Sequence, residues 1–121
     1  MSKSQGASNR RRGRDYEAEI RRYIGQFFEI INSNQSGYEG DDWRLPAFDW
    51  LSGETKLRRE DRLGSWVDQA KKNAKGLIGV VIHKRWGKGN PADAFVTMRL
   101  EDFLTILEII KSLGTEAEKK K

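Results

Sequence analysis

Gly40-Asp41-Asp42-Trp43-Arg44-Leu45-Pro46-Ala47-Phe48-Asp49-Trp50-Leu51-Ser52-Gly53-Glu54-Thr55-Lys56-Leu57 is the stretch on which the reading of this chain turns. Pro46 has no amide hydrogen for a sheet ladder, so the stretch divides into two extended segments, about 42–45 and 49–57. Along the second, side chains alternate: Trp50, Ser52, Glu54 and Lys56 take one face, and Leu51, Gly53, Thr55 and Leu57 the other. A Glu-x-Lys pair alone is commonly an exposed cross-strand ion pair. The Asp41-Asp42 pair ahead of it adds a second element. If the two segments pair as antiparallel neighbours, an Asp at the start of the first meets Glu54 on the second. Two carboxylates brought together repel, and a divalent cation is the usual reason a fold tolerates them. An Asx turn leading into a strand is the competing reading of the Asp pair, and both stand open. Asp49 is the poorer candidate, because five residues along one strand place it on the opposite face, about 16 Å from Glu54.

Toward the N-terminus, Tyr16, Ile20, Tyr23 and Ile24 recur at helical spacing and predict an amphipathic helix over about 13–24, with Gly25 as a candidate C-terminal cap. At about 100° per residue, Glu17 falls near Ile24 at the border of the apolar stripe, while Glu19 points away from it. A carboxylate on that border must be solvated, paired or bound to a cation. Pairing with Arg21 at i+4 is the alternative to a role in a site. Phe27, Phe28, Ile30 and Ile31 suit a longer helix and a strand equally, and 32–40 is a polar, turn-rich loop.

Toward the C-terminus, Ser65 followed by Asp68 has the form of a capping box. It would open a helix through Trp66, Val67, Gln69 and Ala70 to about Ala74, with Gly76 as its stop. Leu77 to His83 is a β-branched, apolar strand; Gly87-Lys88-Gly89-Asn90-Pro91 turns the chain, and Phe95 to Met98 is its partner. Phe103, Leu104, Leu107, Ile110 and Leu113 form the apolar stripe of a last helix stopped by Gly114, read as core in preference to a dimer surface. The order is helix, two or three strands, helix, two strands, helix. That predicts one mixed α/β domain over 13–114, between a flexible basic arm (1–12) and a charged tail (115–121).

With 121 residues the chain suits one domain, since two would each be too small for an adequate core. No stretch approaches the roughly 18 apolar residues of a membrane span, and the basic N-terminus lacks the apolar segment of a secretory signal. The absence of cysteine excludes disulfides, thiolate metal sites and cysteine nucleophiles, and is in keeping with a cytoplasmic setting. The net charge of +5 is unevenly spread. Lys3, Arg10, Arg11, Arg12 and Arg14 precede the first helix with no acid among residues 1–14. Lys56, Arg58, Arg59 and Arg62 form a second group, and Lys71, Lys72 and Lys75 a third. Such groups bind phosphates by releasing counterions, so DNA is the expected partner, against the alternative of a solvated charged surface.

In chain order, Gly13-Arg14-Asp15-Tyr16-Glu17, Gln35-Ser36-Gly37, Gly40-Asp41-Asp42, Gly53-Glu54-Thr55-Lys56 and Trp66-Val67-Asp68-Gln69-Ala70 resemble the PD-(D/E)xK nuclease superfamily, and within it the archaeal and phage-type Holliday junction resolvases. The resemblance covers about 13–98. It implies a restriction-endonuclease-like α/β fold: an α-β-β-β-α-β core, a mixed sheet flanked by helices, and here a C-terminal helix. It favours the strand reading of Phe27 to Ile31, and it implies a divalent cation, Mg²⁺ or Mn²⁺. By that likeness Asp42 or Asp41 holds the metal with Glu54, and Glu17 supports it. Lys56 orients or stabilises the attacking hydroxide, Gln69 helps to position the site, and Ser36 is a DNA contact. No Pro precedes the Asp pair, a departure from the family pattern that leaves the choice between Asp41 and Asp42 open.

The implied chemistry needs no histidine. A carboxylate-bound Mg²⁺ polarises the scissile phosphate and lowers the pKa of a bound water, and Lys56 adds positive charge where the phosphorane is most anionic. One histidine and no cysteine argue against an HNH or zinc-finger nuclease, and His83, at a strand end, reads as structural or phosphate-facing. The expected substrate is branched DNA, foremost a four-way junction. Cutting opposed strands needs two sites, which a two-fold homodimer supplies. A nicking or flap nuclease of the same fold and a non-catalytic DNA-binding protein are the alternatives. The complete Glu, Asp, Glu, Lys set argues against the last. Small size and the Arg-rich arm read as phage-type, which would place the protein in the cytoplasm of a bacterial host.

Overall fold

The computed structural model describes residues 3–32, 41–59 and 62–119. Its elements are α1 (Lys3–Gly25), β1 (Ile31–Asn32), β2 (Trp43–Arg44), β3 (Leu51–Lys56), α2 (Leu63–Ala74), β4 (Ile78–His83), β5 (Phe95–Thr97) and α3 (Leu100–Lys119). Short 3-10 turns occupy Pro46–Phe48 and Pro91–Asp93. The strands form one mixed sheet in the order β1-β2-β3-β4-β5. Neighbours are antiparallel except β3 and β4, which run parallel with Leu51 opposite Ile78 and Lys56 opposite His83. A parallel pair cannot be joined by a tight turn, and α2 provides the crossover. The described residues are therefore α/β, with a five-stranded mixed sheet and three helices, the last C-terminal.

The alternation read from 50–57 decides which helix covers which face. Ser52, Glu54 and Lys56 lie level with Gly79, Val81 and His83. On that face Trp66, Val67 and Ala70 of α2 pack with Val81. Gly79 is required there, because a Cβ would stand 2.6 Å from the Ala70 carbonyl oxygen. On the other face Ile78, Val80 and Ile82 pack with Tyr16 and Ile20 of α1 and with Trp43 and Leu45. The Trp43 indole lies directly on Gly53, where a Cβ would meet the ring at 2.2 Å. Each large apolar side chain buried in this way contributes about 1.5–3 kcal/mol, and together they hold β3, the strand bearing Glu54 and Lys56, between two helices.

Several boundaries differ from the sequence expectation. Helix α1 starts at Lys3 rather than near Gly13, so most of the 1–12 arm is helical, and residues 8–12 are exposed. Once the turns around Tyr16 and Ile20 are anchored, extension through Arg10, Arg11 and Arg12 adds one hydrogen bond per residue at little cost. Gly25 is not a left-handed cap; among the described residues only Lys75, Gly76 and Gly87 have positive φ. Instead the Phe27 and Phe28 amides close the helix on the Ile24 carbonyl. The strand favoured for Phe27 to Ile31 is confined to its end at Ile31–Asn32, with Phe27 and Phe28 in an exposed turn.

Helix α2 begins two residues before Ser65 without a side-chain cap, so the Ser65–Asp68 capping box does not form. Its C-terminus is as expected, with Lys75 (φ 50°) and Gly76 (φ 93°) turning the chain. Helix α3 runs through Gly114 to Lys119, because one glycine costs a helix only about 1 kcal/mol. Its stripe is not core. Leu100, Phe103, Leu104, Leu107, Ile110 and Leu113 are 44–72% exposed, whereas Asp102 is buried and Ile106 packs on the main core. Among the described residues no helix is long and apolar enough to cross a membrane.

Candidate active site

The β2–β3 register sets Trp43 opposite Gly53 and Arg44 opposite Ser52. One step further out, the Asp42 amide donates to the Gly53 carbonyl at 2.9 Å, and the Thr55 amide donates to Asp42 Oδ2 at 2.9 Å. Asp42 is thereby set beside Glu54, the meeting of Asp and Glu that the two extended segments predicted. Asp41 goes elsewhere. Its Oδ2 accepts from Ser52 Oγ at 2.7 Å and from Arg44 Nε, and the residue is 7% exposed. Of the adjacent pair, Asp41 is tied into the sheet and Asp42 faces the other acids.

Glu54 is 3% exposed and accepts a hydrogen bond from the Asn73 side-chain amide. Lys56 Nζ donates to Gln69 Oε1 at 3.1 Å. The two bonds have one geometric origin. Gln69 and Asn73 are four apart on α2, a rise of about 6 Å, and Lys56 and Glu54 are two apart on β3, a rise of about 6.6 Å. A helix lying antiparallel on the strand can therefore hold both side chains at once. Asn73 was not among the residues singled out from sequence. Its signal was there, as the residue one helical turn beyond Gln69 on the same face.

The electrostatics join these groups. Burial pushes the Glu54 carboxyl above the usual range; the Asn73 hydrogen bond opposes this, and the charge of Asp42 adds to it. The Lys56 ammonium favours the ionised form and Asp41 disfavours it, both more weakly. Glu17 is also raised, first by burial and then by the charge of Asp42, against the lowering effect of Arg21. Asp42 is thus the common electrostatic neighbour of Glu17 on α1 and Glu54 on β3. The i+4 pairing is present as well, with Arg21 Nη1 at 2.7 Å from Glu17 Oε1. Glu17 accordingly pairs with Arg21, as one of the two readings had it, and also feels the charge of Asp42.

Among the described residues no three His, Cys, Asp or Glu side chains are grouped closely enough to hold a metal ion. The described residues therefore form no all-protein cage of the kind Ca²⁺ takes. Mg²⁺ has a different demand, one or two carboxylates with water and substrate phosphate completing the octahedron, and Asp42 with Glu54 suits that donor set.

The residues marked for DNA contact divide. Arg10, Arg11, Arg12 and Arg14 are exposed along α1; Arg58 and Arg59 are exposed just past Lys56, and Arg62 and Lys72 are exposed at the start and on the surface of α2. Lys71 is engaged, donating to Asp102 at 2.9 Å and Glu101 at 3.3 Å, and so ties α2 to α3. Those bonds raise its pKa, the one to Asp102 most. Ser36, with Gln35 and Gly37, lies outside the described residues. His83, read as structural or phosphate-facing, has its Nε2 2.7 Å from Thr97 Oγ1 and its ring in contact with those of Trp66 and Phe95. No family model, no curated protein and no solved structure matches the chain at a significant level.

Proposed function

We propose that this protein is a metal-dependent DNA endonuclease of the PD-(D/E)xK type, hydrolysing phosphodiester bonds in branched DNA, foremost four-way junctions. The observation that carries the reading is the placement of Asp42 beside Glu54, with Lys56 on the same face of β3 two residues on and held by Gln69. Asp42 and Glu54 would hold Mg²⁺ or Mn²⁺, which supplies charge neutralisation at the phosphate and a lower pKa for bound water. Lys56, held at its Nζ by Gln69, offers a fixed positive charge to the phosphate as it gains negative charge. Asn73 fixes the rotamer of Glu54, and Arg21 pairs with Glu17, whose carboxyl feels the charge of Asp42. Water adds to phosphorus, one ester P–O bond breaks, and the leaving oxygen takes up a proton. The α-β-β-β-α-β order of the first six elements supports the same family assignment.

The dimer that paired cutting requires finds support in α3. Leu100, Phe103, Leu107, Ile110 and Gly114 are spaced 3, 4, 3 and 4 residues apart, the a/d spacing of paired helices, and the four large ones are exposed. With Leu104 and Leu113 beside them they present on the order of 500 Å² of apolar surface, at the upper end of what monomers carry. A second copy of α3 across a two-fold axis is the self-complementary occupant of such a stripe.

The test is incubation of the purified protein with four-way junction, flap and linear duplex DNA, with Mg²⁺, with Mn²⁺ and with EDTA. Junction cleavage that needs the metal is the expected result. Cleavage unaffected by EDTA, or no cleavage of any substrate in any metal, overturns the reading.

A further inference from the structure

The ends of the two central strands carry a group of side chains that the hydrolytic reading does not use. Past β4 the chain runs Lys84-Arg85-Trp86-Gly87-Lys88-Gly89-Asn90 with no acid, and past β3 it runs Leu57-Arg58-Arg59. Trp86 is 41% exposed, while Trp43 and Trp66 are buried. Its indole N–H donates to the Arg58 carbonyl at 3.0 Å, which pins the ring to the segment leaving β3. The Arg59 guanidinium carbon lies 4.7 Å from the ring centre and Lys84 Nζ 4.9 Å from it. Arg85 stands 5.9 Å from the ring of Phe95. Among the described residues none of Arg58, Arg59, Lys84, Arg85 or Lys88 has a salt bridge.

Two cations drawn to one exposed ring repel each other, and a cation–π contact at an exposed site is too weak to account for the arrangement by itself. A polyanion removes the repulsion. A flat exposed indole flanked by cations suits a strand in which phosphates alternate with bases: the cations take phosphates, and the ring takes the face of a base. A fully paired duplex keeps its base faces stacked internally, so only an unpaired or frayed base, as at a branch point, can use the ring. Arg58, whose carbonyl holds the ring, is two residues past Lys56, on the order of 7 Å along an extended chain. The ring therefore lies near the candidate active site.

We propose that Trp86, with Arg59 and Lys84, forms a stacking site for an unpaired DNA base next to the active site, a proposal that rests on DNA being the ligand. Its test needs no cleavage. In EDTA, the intact protein is titrated with a short thymidine oligonucleotide and with an abasic strand of equal length, following affinity and tryptophan emission. The base-bearing strand should bind about tenfold more tightly and quench emission, because the abasic strand offers phosphates without bases. Trp86→Ala should erase that preference by weakening the thymidine strand alone. Trp86→Phe, which keeps a ring and the fold, should keep most of the preference and lose the quenching. Arg59→Ala should weaken both strands and reduce the salt slope by about 0.7. Equal affinity of the wild-type protein for the two strands overturns the proposal, as does a preference that survives Trp86→Ala. A protein that prefers the base-bearing strand through Trp86 but cuts no DNA would overturn the nuclease reading alone.

Discussion

Substituting the adjacent aspartates one at a time should separate a fold role from a site role. In Asp41→Asn, a buried carboxylate that accepts from Ser52 and Arg44 becomes an amide with one accepting oxygen. Hydrogen bonds to a charged group contribute about 1.5–3 kcal/mol. Both bonds fall on Oδ2, so an amide oxygen there can keep them, but as bonds to a neutral acceptor, which contribute about 0.5–1.5 kcal/mol each; Arg44 is partly exposed, so its ion pair is screened. The net loss should be about 1–2.5 kcal/mol, which lowers Tm by about 4–10 °C for a domain of this size. In Asp42→Asn the amide oxygen can still accept from the Thr55 N–H, and the lost charge was raising Glu54 and Glu17. Its Tm should therefore hold within about 2 °C or rise. Activity should divide the other way. Asp42→Asn should lose on the order of a hundredfold or more in Mg²⁺-dependent junction cleavage, and Asp41→Asn should stay within about tenfold of wild type, assayed well below its Tm. Circular-dichroism melts and matched cleavage time courses read both effects. An Asp41→Asn variant that melts normally but cannot cut, beside an Asp42→Asn variant that cuts normally, would refute the assignment.

Two further outcomes follow from the same geometry. Because burial and Asp42 raise the Glu54 pKa, the folded state holds that proton more tightly than the unfolded chain does. The stabilisation is complete below the unfolded value of about 4.5 and is lost as pH rises through the higher folded value. Glu54→Gln should thus melt above wild type at pH 7–8 in EDTA, with the two curves converging as pH falls toward 4.5, while DNA binding persists and cleavage is lost. A Tm difference that does not change with pH would contradict this. Leu107→Glu with Ile110→Lys should leave far-UV circular dichroism unchanged but halve the mass in sedimentation equilibrium; a monomeric wild type, or a dimeric variant, would remove α3 from the interface.

Much of the candidate site was legible in the chain. Period-two alternation places Glu54 and Lys56 on one face whatever packs against them, and the break at Pro46 makes 42–45 the adjacent antiparallel neighbour. Helix α2 and strand β4 were likewise marked by the apolar positions of the one and the β-branched run at Leu77 to His83 in the other, whereas the parallel pairing of β4 with β3 was not. Element ends were less legible, because they depend on propagation and contacts rather than period. The start of α1 at Lys3, the short β1 and the passage of α3 through Gly114 are of that kind.

The residue types and spacings by themselves determined a mixed α/β chain, the shared face of Glu54 and Lys56, and the border position of Glu17, because strand and helix periods are local properties of the backbone. Tertiary structure alone decided which aspartate serves the fold: Asp41 and Asp42 are chemically identical, and only Ser52 and Arg44, brought to one of them across the β2–β3 ladder, distinguish the two. It also brought Asn73 to Glu54, two residues 19 positions apart in sequence. The stripe on α3 is as amphipathic as a core helix. Whether such a stripe is buried depends on the area the rest of the domain has to cover it, and here α1 and α2 already occupy the two faces of the sheet.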